Sequence, residues 1–254
     1  MSRDSPASTI TSAAVEEGNN EIEGLITQLT PRQEERLRTY LDDKLSILES
    51  DEKTNNLGSI PSLVKRLSIL LQIILQIPPK PPFSSLRISY LLTLTAVIPL
   101  YITSLTLLSS GHRTKSDAER EAEGSIREVL DILREVENGW KAVLNGQAWL
   151  PPRSSGGRKL GGRGVKVDFG GQVDTTERIR LKSIIISSRS RLIAWSRTYG
   201  NFEGSSIRVE QNEASIANEF VATKALEGVR KGGWEEEMTL MWNDLLDILS
   251  RDLA

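Results

Sequence analysis

This chain has no cysteine and a single histidine, His112. The first absence excludes disulfides and thiolate zinc sites and fits a reducing compartment. The second excludes a multi-histidine metal centre. A Ser-His-Asp triad could use only His112, which stands in the polar string Ser109-Ser110-Gly111-His112-Arg113 and reads as an exposed loop residue. An excess of one charge is also missing. The 32 Lys and Arg against 34 Asp and Glu leave a net charge of −2, which argues against a surface given over to nucleic acid. The first twenty residues lack the apolar segment of a secretory signal, and Asp4, Glu16 and Glu17 are acids that a mitochondrial presequence avoids. Residues 1–24, rich in Ser, Thr, Asn and Gly, read as a disordered tail ahead of one helical domain at 25–254.

What the chain does have is concentrated apolar sequence between Leu63 and Leu108, interrupted once by Pro78-Pro79-Lys80-Pro81-Pro82. Before it, Thr30 and Gln33 make a capping box with Pro31 at the first helical position, and Leu37, Leu41, Leu45 and Leu48 follow at helical spacing with Tyr40 beside them. That helix is expected to end near Ser50. A second opens near Pro61 and is apolar nearly all round (Leu63, Val64, Leu67, Leu70, Leu71, Ile74, Leu75, Ile77), so it should be buried on several sides. The prolines then make a stiff corner; their use as an SH3 or WW ligand is disfavoured because apolar helices flank them.

A third helix starts near Ser84. No charge occurs between Arg87 and His112, which meets the length test for a membrane span. Six hydroxyl residues in the run (Ser89, Thr93, Thr95, Thr103, Ser104 and Thr106) and a central Pro99 favour a buried core helix instead, with a kink or break at the proline. A membrane-anchored protein using residues 88–108 is the alternative.

The fourth helix is expected from Ser116, with Glu119 completing a capping box and one stripe running from Ile126 to Leu144. Its carboxylates read as a solvated face, without a second motif that would make them a metal or acid–base site. Residues 151–173 are Gly-rich with interspersed Arg153, Arg158, Lys159, Arg163 and Lys166. They read as a flexible loop that could neutralise a few phosphates or meet an acidic partner, with Gly164 to Phe169 at best a small ribbon. No Gly there is followed by Lys and then Ser or Thr, so it is not a phosphate loop. The fifth helix, after Asp174 and Glu177, is the most basic (Arg178, Arg180, Lys182, Arg189, Arg191, Arg197) and is expected to pair with the acidic fourth. A weaker helix over Glu213–Val229 and an amphipathic C-terminal helix at 233–254 complete the chain. On the last, Trp234, Met238, Met241, Trp242 and Leu245 form an apolar stripe that either anchors a partner or closes the core.

The expected fold is all-α: a single bundle of about six helices with a disordered N-terminus and a Gly/Arg-rich internal loop. No nucleophile–base pair, metal cluster or cofactor cradle is legible, so no enzyme and no cofactor is expected. Four segments, LTPRQEERLRTYLDDKL (29–45), LLQIILQIPPKPPFSSLRISYLLTLT (70–95), EVENGWKAVLNGQAW (135–149) and TERIRLKSIIISSRSRLIAW (176–195), together resemble the fungal accessory subunit of the general transcription factor TFIIH, the subunit associated with release of that complex's DNA-translocating helicase. The resemblance spans roughly residues 29–199. It implies a nuclear, non-enzymatic regulatory protein that binds protein subunits of a larger complex, the TFIIH helicase among them. It carries no motif that fixes site residues. The partner-contacting residues expected from the sequence are therefore those of the C-terminal stripe (Trp234, Met238, Met241, Trp242, Leu245) and of the basic loop (Arg158, Lys159, Arg163), with only weak nucleic-acid contact and no membrane role favoured.

Overall fold

The first helix, α1 (Pro31–Lys53), begins where the capping box dictates: the Gln33 amide donates to Thr30 Oγ1 at 3.3 Å and the Thr30 amide donates to Gln33 Oε1 at 2.8 Å. It runs three residues past the expected stop. Leu41 and Leu48 are fully buried, and Leu37 and Leu45 pack against the same core. The computed structural model describes residues 28–107, 115–151, 162–166, 173–200 and 234–251. The expected tail at 1–24 and the weak helix at 213–229 lie outside the described residues.

Helix α2 (Ile60–Leu75) buries eight residues around its circumference, as an all-round apolar sequence requires. The proline corner follows, and α3 (Phe83–Thr103) returns from it. Pro99 lies inside α3, buried, and the helix continues through it, so that of the expected kink or break the break into two helices is not formed. Pro99 has no amide to bond the Thr95 carbonyl, but apolar side chains on both sides (Leu94, Ile98, Ile102) are fully buried and hold the segment helical. Helix α3 is long and apolar enough to cross a membrane, with mean hydropathy 1.5, yet 61% of its most apolar window is buried inside the protein. Most of that window is thus covered by the protein's own helices.

Helix α4 (Lys115–Leu144) starts one residue before Ser116, which therefore sits in the first turn and not at the cap. Its stripe, from Ala122 through Ile126, Val129, Leu133 and Val136 to Trp140 and Val143, is buried and packs chiefly on α2. Close approach of the two helices requires Gly139, where a Cβ would meet the Leu75 methyls at 2.9 Å. Two short strands follow, β1 (Ala148–Leu150) and β2 (Arg163–Val165), paired antiparallel with Trp149 opposite Gly164. The ribbon expected over Gly164 to Phe169 is thus real but begins one residue earlier, and β2 takes part of the Gly/Arg-rich stretch into regular structure.

Helix α5 (Thr175–Gly200) has the second capping box: the Glu177 amide donates to Asp174 Oδ1 at 2.6 Å and the Asp174 amide donates to Glu177 Oε2 at 3.2 Å. Its main neighbour is α3, followed by the C-terminal helices, and not the acidic α4. Apolar burial of Leu181, Ile185 and Leu192 sets that choice over charge pairing, because exposed ion pairs contribute only about 0–1 kcal/mol each.

The C-terminal helix is broken into α6 (Trp234–Leu240) and α7 (Asn243–Arg251). Trp242 sits at the break with φ of +65°, a left-handed conformation rare for a bulky residue. Its indole is buried, 1% exposed, and Nε1 donates to the Leu133 carbonyl at 3.3 Å. Counting α6 and α7 as one broken helix, the described residues form an all-α bundle of six helices with one two-stranded ribbon.

Candidate docking surfaces

The residues expected to meet a partner fall in three different settings. Met238, Met241, Trp242 and Leu245 are each at most 6% exposed and belong to the protein's own core, which is the second of the two roles their periodicity allowed. The polar side of the same segment latches it down: Arg134 pairs with Glu237, Lys141 Nζ reaches Asp244 at 3.0 Å, and Arg189 donates to Asn243 Oδ1 at 2.6 Å and to the Thr239 carbonyl. Trp234 opens α6. Arg158 and Lys159 lie outside the described residues. Arg163 is exposed on β2, opposite Leu150.

Buried polar groups inside the bundle are arranged as a brace. Gln72 on α2 donates to Glu135 on α4 at 2.8 Å and accepts from Trp149 Nε1 on β1 at 3.1 Å; Glu135 also accepts from the Gly162 amide at 3.2 Å. Gly162 lies against the Trp149 ring so closely that a Cβ there would come within 2.4 Å of it. Trp140 Nε1 donates to Thr95 Oγ1 at 2.8 Å, and Thr95 in turn donates to the Leu91 carbonyl. One buried group departs from this pattern. Arg87, 1% exposed, donates through Nη1 to the Gln147 carbonyl at 2.8 Å, while its Nε and Nη2 have no partner among the described residues. Burial lowers its pKa to about 10.

Among the surface features that remain once the core is closed, two lie between helices. The first is a groove of about 820 Å³ over α3, walled by α1 and α5. Ser85, Ser89, Thr93 and Ala96 of α3 lie along its floor, and Arg38, Asp42, Glu177 and Arg180 stand on its walls. Three of those charges are already engaged: Arg38 pairs with Glu34 at 2.6 Å, Asp42 accepts from the Tyr90 hydroxyl at 2.7 Å, and Glu177 caps α5. Burial, with Asp42 beside it, pushes the Tyr90 phenol up to about 12.

The second feature is an apolar seam on the outer side of α1 and α2. Tyr40, Ile47 and Ile69 are 39%, 46% and 49% exposed and surround a slot of about 230 Å³ floored by Leu48 and Leu70. Lys44 and Arg66 complete its lining. The Lys44 ammonium lies 5.5 Å from the Tyr40 ring centroid, and Arg66 is held by Asp51 at 2.6 Å. Tyr40 flanks the stripe that the period of α1 predicts, whereas Ile47 and Ile69 fall outside the predicted stripes of their helices, three residues beyond Lys44 and Arg66. No protein-family model, curated protein or solved structure matches this chain.

Proposed function

We propose that this chain is a non-enzymatic interaction protein, an accessory subunit that docks on other subunits of the TFIIH transcription and repair complex and acts in the nucleus. The identity of the complex rests on the resemblance of residues 29–199 to the fungal subunit family. The observation that carries the interaction role is the exposed apolar seam of Tyr40, Ile47 and Ile69, which is left over after the C-terminal helices have closed the core. Exposed apolar clusters of this kind are characteristic of protein contacts. The mechanism is a shift of an assembly equilibrium, driven by tighter binding to one state of the partner.

The test is affinity capture of the tagged full-length chain from a detergent-free fungal lysate, with mass spectrometry of the co-purifying proteins. Recovery of TFIIH subunits at fixed ratio supports the reading. A soluble chain that brings down no TFIIH subunit overturns the identity of the complex. Retention in the membrane pellet until detergent is added would favour the membrane-anchored alternative, which rests on the length and hydropathy of α3.

A further inference from the structure

We propose that the α1–α2 seam is a docking slot for an acidic amphipathic segment of a partner protein, which inserts one bulky apolar side chain between Ile47 and Ile69 and sets a carboxylate against Lys44. The proposal rests on the interaction role stated above, but not on the identity of the complex.

Size comes first. A slot of about 230 Å³ falls below the roughly 300–1,000 Å³ typical of small-molecule and cofactor sites. It suits one or two large side chains over an apolar floor, the arrangement in which a buried anchor dominates binding. Spacing comes next. Tyr40, Lys44 and Ile47 follow one another at i, i+4 and i+7 along α1, and Arg66, Ile69 and Ile73 do the same on α2 at i, i+3 and i+7. Side chains at these spacings, with Tyr40, Lys44, Ile47, Arg66 and Ile69 lining the slot, are those that an amphipathic helix engages.

Charge selects the occupant. The two charged side chains in the lining are both cations. Arg66 is already neutralised by Asp51, whereas Lys44 makes no ion pair among the described residues and only overhangs Tyr40. A cation on a ring face keeps its charge available, so a partner carboxylate meets it without displacing another. A second copy of this chain is a poor occupant: a two-fold contact across the seam would bring Lys44 and Arg66 toward their own copies. An anionic lipid surface is disfavoured as well. The exposed side of α1 next to Tyr40 carries Glu35 and Asp43 against one cation, Arg36, a net negative patch that headgroup phosphates would repel. Those same acids limit the partner to one or two carboxylates, placed on the Lys44 side.

The experiment is selection of a displayed library of 15-residue amphipathic helical peptides, with acidic, neutral and basic members in equal number, on the full-length protein. Counter-selection is on the Ile69→Asp variant. Enriched peptides are expected to be acidic with a central Trp, Phe or Leu. They should lose at least tenfold in affinity on Ile69→Asp and several-fold on Lys44→Glu, and a Glu→Lys peptide should recover binding on Lys44→Glu. Both positions are exposed, so thermal unfolding close to wild type checks that the variants are folded; Ile47→Ser serves as a milder probe of the same slot. Enrichment of basic or neutral peptides would overturn the charge argument. No peptide discriminating wild type from Ile69→Asp would overturn the slot. Concentration-dependent dimerisation lost in Ile69→Asp, or binding to anionic vesicles lost in it, would assign the seam to a second copy or to a membrane. If TFIIH subunits co-purify with Ile69→Asp as with wild type while selection fails, the slot falls and the accessory-subunit reading stands. If selection succeeds and capture fails, the reverse holds.

Discussion

Replacing Arg87 by methionine is expected to stabilise this protein, although it deletes a hydrogen bond and a charge from the core. The guanidinium is 1% exposed and, among the described residues, has no carboxylate partner and satisfies only Nη1, through the Gln147 carbonyl. The lowering of its pKa to about 10 corresponds to about 3 kcal/mol against the charged form in the folded state. Methionine keeps most of the aliphatic stem and removes that penalty. Against it stand about 1 kcal/mol for the Gln147 carbonyl left without its donor and about 1 kcal/mol for the void where the guanidinium was. The net expectation is a gain of about 1 kcal/mol, or roughly 2–4 °C in Tm for a chain of this size. The sign with pH follows from linkage. Above about pH 10 the folded state sheds the Arg87 proton before the unfolded state does, so the wild type gains stability there and its deficit against Arg87→Met narrows. Urea unfolding of both proteins at pH 7 and pH 10.5 measures the difference directly. A loss of more than about 1 kcal/mol at pH 7 would refute the reasoning, because it would mean that the buried cation has a compensating anion.

Trp242→Ala should destabilise by about 3–5 kcal/mol, as removal of a fully buried indole does; loss of partner capture with unchanged unfolding would instead restore its role as an anchor. Gly162→Ala drives a methyl into the Trp149 ring and should cost about 1–3 kcal/mol, with a red shift of tryptophan fluorescence as its mark. Tyr90→Phe removes the 2.7 Å bond to Asp42 at a half-buried site and should cost about 1 kcal/mol near neutral pH. Its pH signature is opposite to that of Arg87. The folded Tyr90 keeps its proton up to about 12, so wild-type stability falls relative to Tyr90→Phe as pH rises from 10 toward 12.

Where a local rule governs, the sequence was legible. Thr30 with Gln33 and Asp174 with Glu177 both form the capping boxes that their spacing dictates, and the leucines of α1 and the stripe of α4 are buried as their period requires. The uncharged α3 could be assigned to the core because hydroxyls and Pro99 weaken a membrane reading, but the absence of a break at Pro99 depended on packing from neighbouring helices, which no local pattern encodes. The C-terminal stripe had two physically equal destinies, since an apolar face does not say whose surface covers it. Tertiary contacts with α4 and α5 decided for the core. The turn at Trp242 was illegible for another reason: only a buried indole with its own acceptor makes a left-handed tryptophan tolerable. The α1–α2 seam is not legible from periodicity, because Ile47 and Ile69 fall outside the period that marks the buried stripes.

The brace of Gln72, Glu135 and Trp149 bears on how this chain finds a single alignment. Leucines and isoleucines recur so densely along α2 that sliding it by one turn past α4, about 5.4 Å, would exchange one aliphatic neighbour for another at little loss. Among oily helices such slid states are near-degenerate, and a chain built from them alone risks an ensemble of interchangeable packings. Here a slide would strand a half-buried glutamine, a buried carboxylate and a buried indole at once. The polar atoms contribute less as adhesive than as an index mark that only one position of the two helices can satisfy.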